Sequence, residues 1–279
     1  MKRNKKILVG DFETTVYEGQ EKTEVWASAV VELFSDNPIL FHSISDTFNY
    51  FKSLKSNIIV YYHNLKFDGN FWLSYLMKEL NYSQALYGTN KETNEYLQIT
   101  SPDDIALFTD IHWLQNKEML NNTFKYAISD RGQWYDIVIK TGGHIIEIRD
   151  SLKLLPFSVK KIGRDFKTKH QKTEIEYKGL RYAGCYISPE EEEYIKNDVM
   201  VVKEALEIMF GEGHDSLTIG SCCLSEFKKN FSFSTENYDV DKFDSCGNEK
   251  DLSFFFREKQ QRRPTAIQRI FSESIRSAA

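Results

Sequence analysis

The stretch Ile7-Leu8-Val9-Gly10-Asp11-Phe12-Glu13-Thr14-Thr15 decides the reading of this chain. An apolar run of β-branched and aliphatic residues predicts a buried strand over residues 6–12. In a strand, side chains at i and i+2 point to the same side. Asp11 and Glu13 therefore stand side by side where the strand leaves the core. Two like charges in that position repel, and a core does not accept them without a compensating cation. The pair asks for a cation and for further ligands elsewhere in the chain.

The chain has 279 residues, 41% hydrophobic and 28% charged, which suits a folded protein with a sizeable core. The formal net charge of -5 excludes general electrostatic adhesion to nucleic acid, so any such binding needs a local patch or a metal. Basic residues do cluster: Lys2, Arg3, Lys5 and Lys6, then Lys153, Lys160, Lys161, Arg164, Lys167, Lys169 and Lys172. Cys185, Cys222, Cys223 and Cys246 show no C-x-x-C spacing, which argues against zinc and dithiol chemistry. Ile7-Leu8-Val9 is too short for a signal-peptide core, and no apolar run reaches membrane-spanning length. The expectation is a protein of a reducing cytoplasm, with free thiols and no membrane partner.

Outward from the first strand, residues 24–34 read as its hairpin partner and 45–54 as a short amphipathic helix. Residues 57–62 (NIIVYY) read as a second buried strand, running through HNLKFDG into a helix. Residues 81–127 alternate polar and short apolar pieces and are expected to be an insertion with some helix. Residues 132–140 and 144–150 form a hairpin pattern around Thr141-Gly142-Gly143, followed by a basic helix over 158–166. The clearest helix is 188–210: Ser188 can cap it, Pro189 fits its first turn, Glu191 completes a capping box and Gly211 stops it. The tail from Arg257 carries six basic against two acidic residues. The fold class is α/β with a mixed sheet flanked by helices.

Acidic groups recur at telling points: Asp11 and Glu13 at a strand exit, Asp68 where a strand passes into a helix, and Asp198 on the 188–210 helix. Tyr194 lies one turn before Asp198, on the same helix face. Four carboxylates without His or Cys suit Mg²⁺ or Mn²⁺. Two such ions are a standard arrangement for phosphodiester cleavage. Taken singly, each element also reads as a surface turn, a wet helix face or a helix cap.

Together, DFETT (11–15), YYHNLKFDGNF (61–71) and YIKND (194–198) resemble the three 3′–5′ exonuclease motifs of family B DNA polymerases. DSLKLLPFSVKKIGRDFK (150–167) and ISPEEEEYIKNDV (187–199) resemble the exonuclease domain of the protein-primed phage members. The similarity covers roughly residues 6–231. It implies a ribonuclease H-like 3′–5′ exonuclease fold over residues 1–231, with 81–127 inserted and a divergent tail, 232–279, that is truncated or disordered. It implies two Mg²⁺ or Mn²⁺ ions on Asp11, Glu13, Asp68 and Asp198. Tyr194 would orient the attacking water and Lys172 would contact the scissile phosphate. Thr14, His63, Asn64, Phe67, Ser151 and Leu152 would hold single-stranded DNA or a terminal protein, although Phe67 and Leu152 equally suit core packing. The implied partners are a single-stranded DNA 3′ end and a terminal protein or separately encoded polymerase domain, in a bacterial or phage-infected cell.

The resemblance has two departures. The segment from Leu80 to Arg131 is longer than the family pattern, and the polymerase motifs D-x-x-S-L-Y-P, K-x-x-x-N-S-x-Y-G and D-T-D do not occur. The expected activity is metal-dependent 3′–5′ hydrolysis of single-stranded DNA, without polymerisation. The alternatives are a non-catalytic module, part of a split or truncated polymerase, that binds single-stranded DNA or terminal protein, and a ribonuclease of the same fold.

Overall fold

A computed structural model describes residues 5–14, 19–177 and 179–230. The expectations for Lys2, Arg3, Thr15, Cys246 and the tail 232–279 lie outside the described residues. The chain divides into two compact units, Met1–Glu207 and Ile208 onward.

In the first unit, strands β1 (Lys6–Glu13), β2 (Ala27–Glu32), β3 (Ile39–Phe41) and β4 (Ile58–Tyr62) come first, with helix α1 (Ile44–Ser53) between β3 and β4. Helix α2 (Leu65–Ser74) follows and widens into a π turn, Tyr75–Glu79. Strands β5 (Ser83–Gln84), β6 (Leu86–Asn90), β7 (Tyr96–Gln98), β8 (Phe108–Trp113), β9 (Thr123–Ile128), β10 (Trp134–Thr141) and β11 (His144–Asp150) come next. Helices α3 (Val159–Phe166) and α4 (Pro189–Gly211), the latter continuing past Glu207, complete the order. The main sheet runs β3-β2-β1-β4-β11-β10-β9-β5. Its centre, β1, β4 and β11, is parallel, and antiparallel strands flank it on both sides. This is the mixed α/β sheet expected from the sequence.

Strand alternation sorts the two faces. Leu8 and Phe12 of β1, Ile58, Val60 and Tyr62 of β4, and Ile146 and Ile148 of β11 pack with Phe48 and Phe51 of α1 and Leu65 and Trp72 of α2. Asp11 and Glu13, one residue out of step, fall on the opposite face. The α1 start is set by Ser43, whose Oγ accepts from the Asp46 N–H at 3.0 Å. The capping box read at Ser188 is present: Glu191 N–H donates to Ser188 Oγ at 3.2 Å, and Ser188 N–H donates to Glu191 at 2.9 Å.

The segment 81–127 departs from the helix expected there. It is mostly strand, and its helix is a single 3₁₀ piece, Pro102–Leu107. β5 and β9 join the main sheet, while β6, β7 and β8 form a separate three-stranded sheet in the order β7-β6-β8. The local pattern is too short to separate strand from helix, and backbone pairing across the segment decides it. In the second unit, helix α5 (Ile219–Asn230) starts at Thr218, whose Oγ1 accepts from the Ser221 N–H at 3.2 Å.

Close approach is permitted at Gly10 and at Gly69. A Cβ on Gly10 would lie 2.9 Å from the Tyr62 ring, its neighbour in register on β4. A Cβ on Gly69 of α2 would lie 2.4 Å from the buried Trp134 ring of β10. Gly69→Ala gains about 1 kcal/mol of helix propensity, but the rigid indole has to move, at a cost of about 1–3 kcal/mol. The expected outcome is a net loss of up to roughly 2 kcal/mol, read as a lower denaturation midpoint. An unchanged or higher midpoint would contradict this packing.

Candidate metal centre

The parallel strands β1, β4 and β11 end at one edge of the sheet, the common place for a site in such sheets. Gly10, Tyr62 and Asp150 lie in register across that edge. The residues just beyond them, Asp11–Glu13, His63–Asp68 and Ser151–Leu152, are therefore neighbours although they are far apart in sequence.

Asp11, Glu13 and Asp198 offer carboxylate oxygens that all lie within 4.8 Å of one another. The face opposite α1 and α2 presents Asp11 and Glu13, and α4 brings Asp198 to it. Asp68 is not part of this trio. It sits in the first turn of α2, 3% exposed, with Asp11 and Glu13 among the charges acting on it. Asp68 Oδ1 and Asp198 Oδ1 are buried without a hydrogen-bond partner. Orphaned carboxylate oxygens beside a cluster of acids suit a hard divalent cation.

Lys172 reaches into this cluster. Its Nζ donates to Asp198 Oδ2 and to the Tyr194 hydroxyl, the latter at 2.6 Å, and lies 4.6 Å from the Tyr194 ring centroid. Burial disfavours the ammonium, but the hydrogen bonds from Lys172 to Asp198 and Tyr194 outweigh it and hold Lys172 charged well above the usual lysine range. Burial pushes the Asp198 carboxyl up, and Lys172 opposes the shift. Burial and then Asp11 raise Asp68 well above the usual carboxylate range.

The strand ends are fastened by internal polar bonds. Asn64 adopts a left-handed conformation (φ 67°) that turns β4 into α2, a conformation asparagine tolerates. Its side chain does not cap the helix. Asp150 does that work: its Oδ1 accepts from the N–H groups of Asn64 (3.1 Å), Leu65 (3.3 Å) and Leu152 (3.0 Å). His63 Nε2 lies 2.8 Å from the Phe157 carbonyl, to which it must donate, and Nδ1 lies 3.0 Å from Ser151 Oγ. Burial lowers the His63 pKa. Ser151 is fully buried, with Oγ also 3.1 Å from the Tyr62 carbonyl. Both residues are thus engaged inside the fold.

Thr14 is buried and Leu152 half-buried, whereas Asn64 is exposed. Phe67 is 53% exposed and rests against Phe71 with ring centroids 5.9 Å apart. A core role for Phe67 is therefore ruled out. Several of the clustered basic residues are paired with acids: Lys160 with Glu174, and Lys161 and Arg164 with Asp165. Lys153 instead lies 4.9 Å from the Tyr135 ring centroid.

Sequence reading missed Asp150 and Tyr177. Asp150 was legible as the residue before the Ser151-Leu152 pair, but its partners come from another strand end. Tyr177 lies in an irregular segment with no periodic signal. Its ring meets the Trp26 ring edge-on at 4.9 Å and the Tyr194 ring at 6.0 Å. Its buried hydroxyl lies beside Glu13, short of a well-aligned hydrogen bond. Burial, then the Glu13 charge, raise the Tyr177 pKa far above the usual phenol range.

The fold and this cluster define an α/β domain with an acidic cluster that could hold a metal ion at the ends of its parallel strands. Residues 50–188 match the family model described as DNA polymerase type B, organellar and viral. The chain is 36% identical over 230 residues to the DNA polymerase of Bacillus phage phi29, covering 80% of this chain and 34% of that protein. It is 34% identical over 232 residues to the DNA polymerase of Bacillus phage Nf, covering 81% and 34%. The solved structure of phi29 DNA polymerase complexed with single-stranded DNA matches with a TM-score of 0.63 at 32% identity, over 83% of this chain and 36% of that one. The complex of the same polymerase with primer-template DNA and incoming nucleotides also gives 0.63 at 32% identity, over 83% and 35%. This chain is thus homologous to a region of the phi29-like, protein-primed family B DNA polymerases. It spans about a third of the length of the relatives it matches. Among the described residues, no helix is long and apolar enough to cross a membrane.

The clustered acids make metal binding proton-linked. Burial and Asp198 push the Asp11 carboxyl to about 7; burial and Asp11 push Glu13 to about 8. Both groups hold protons more tightly in the folded than in the unfolded chain, where carboxyl pKa values are about 4. Metal-free protein is therefore expected to lose stability as pH rises from about 4 to 8. A cation must displace these protons, so its affinity should climb through the same range up to about pH 8 and then level. Melting temperatures in chelator and in Mn²⁺ between pH 5 and 8.5 check this. Parallel curves with a constant Mn²⁺ increment would contradict it.

Proposed function

We propose that this chain is a metal-dependent 3′–5′ exonuclease domain acting on single-stranded DNA. The observation that carries the reading is the convergence of Asp11, Glu13 and Asp198 within 4.8 Å, with buried, unpartnered oxygens on Asp68 and Asp198. Similarity to polymerases whose structures hold single-stranded and primer-template DNA supports the substrate class.

Asp11, Glu13, Asp68 and Asp198 would hold Mg²⁺ or Mn²⁺, two ions in all. When bound, such ions supply an activated water and neutralise the leaving 3′-oxygen. The remaining roles belong to the chain's own groups. The Tyr194 hydroxyl, fixed by Lys172, orients the attacking water. The Lys172 ammonium offsets charge on the scissile phosphate. The exposed Phe67 ring stacks on terminal bases, a contact tolerant of sequence. Thr14, Asn64 and Leu152 line the path of the strand. His63 and Ser151 act through the backbone they fasten. A terminal protein or a polymerase domain is the expected macromolecular partner.

Incubation of a 5′-labelled single-stranded DNA oligonucleotide with Mn²⁺ or Mg²⁺ tests the reading. Wild-type protein is expected to produce a ladder of 3′-shortened products, and Asp11→Ala/Glu13→Ala to lose it by at least about 100-fold. Binding without degradation by folded wild-type protein would sink the reading in favour of a binding module. Faster degradation of an RNA oligonucleotide of the same sequence would replace DNA by RNA as substrate.

A further inference from the structure

Tyr177 reaches Glu13 from a segment, residues 167–188, that carries no helix or strand among its described residues. An irregular segment does not hold a ring in place by itself, so the ring must be fixed from outside. Arg181 supplies that fixture. It is 5% exposed, and its guanidinium lies 4.8 Å from the Trp26 ring centroid and 5.4 Å from that of Tyr177. The same guanidinium pairs with buried Glu191, the residue that completes the Ser188 capping box at the start of α4. On the other side, the Arg181 backbone is gripped at both ends by Gln20: its N–H donates to Gln20 Oε1 at 3.1 Å, and its carbonyl accepts from Gln20 Nε2 at 2.5 Å.

Arg181 therefore ties together the loop after β1, the approach to β2, the Tyr177 segment and the helix bearing Tyr194 and Asp198. Only an arginine suits the place. A planar guanidinium can face two rings and a carboxylate at once, whereas an ammonium offers a point charge. Its charge is buried, so it must be paired, and Glu191 pairs it.

We propose that Arg181 is a positioning residue for the carboxylate centre: it seats the Tyr177 ring so that the hydroxyl stays at Glu13, and it acts on hydrolysis through Tyr177. The inference rests on the exonuclease reading for its activity readout. Removing Arg181 alone leaves Glu191 buried and unpaired, so the test uses Arg181→Met/Glu191→Gln, in which both charges go together and the glutamine keeps the capping box. This variant, Tyr177→Phe, and the combination of all three substitutions are compared with wild type.

Release of mononucleotide from single-stranded DNA is expected to fall about tenfold or more in kcat in each of the first two, the usual size of effect for partners behind a metal ligand, with KM nearly constant. The combination is expected to be no slower than the slower of the two, because groups acting through one another are not additive. Multiplying losses, an unchanged kcat, or a loss that merely follows the fraction unfolded would overturn the proposal. If wild-type protein releases no mononucleotide, the exonuclease reading fails by itself. Mn²⁺ affinity of the same four proteins then decides: a non-additive loss supports the coupling, and an additive or absent loss overturns it.

Discussion

Like charge held at the end of a buried strand is the constraint around which this structure is organised. At 4.8 Å, the outer limit within the Asp11–Glu13–Asp198 trio, two full negative charges repel by roughly 3 kcal/mol at an effective dielectric constant of about 20. Three pairs of that size rival the whole stability of a domain. The protein relieves the repulsion by holding protons on Asp11 and Glu13 and by inserting the Lys172 ammonium beside Asp198. A divalent cation would relieve it further. Burial that would be a defect in a purely structural core would give such a cluster affinity for positive charge.

The scaffold around the trio is built to keep it from relaxing. Gly10 lets the Tyr62 ring close over β1, and Gly69 lets Trp134 close against α2, so neither the strand carrying Asp11 nor the helix carrying Asp68 can drift. Asp150 collects three backbone N–H groups from two strand ends. Each such bond to a carboxylate contributes on the order of 1.5–3 kcal/mol, comparable with one repulsive pair. Fixing ligands on strands and helices rather than on loops keeps them within the tolerance that metal chemistry needs. The Tyr177 segment is the exception, and the Arg181–Glu191 pair compensates for it.

The separate sheet of β6, β7 and β8 stands apart from this economy. Its Tyr96 ring stacks on His112 at 5.7 Å and packs tilted against Tyr87 at 5.4 Å, and the Tyr96 hydroxyl meets His112 Nε2 at 3.0 Å. These contacts link β6, β7 and β8 within that sheet. Two of the flanking strands, β5 and β9, return to the main sheet, so the addition leaves the order of the central parallel strands intact.

The sequence by itself determined which residue types stand at which element ends. Strand β1, the β4–α2 passage, the β10–β11 hairpin and the capped α4 were all legible, because each carries strong local periodicity or a capping signal. The carboxylates Asp11, Glu13, Asp68 and Asp198 were legible for the same reason. The strand pairing of 81–127 was not, because short polar-apolar alternation does not distinguish a strand from a helical turn until a partner strand is present. Tertiary structure alone decided that Asp11, Glu13 and Asp198 form the tight trio without Asp68: strand alternation sends the first pair to the face opposite α2. It alone decided that His63 and Ser151 turn inward, that Phe67 turns outward, that Asp150 binds backbone from two strand ends and that Tyr177 stands beside Glu13. Those outcomes depend on which strand ends become neighbours, and no local stretch of residues contains that information.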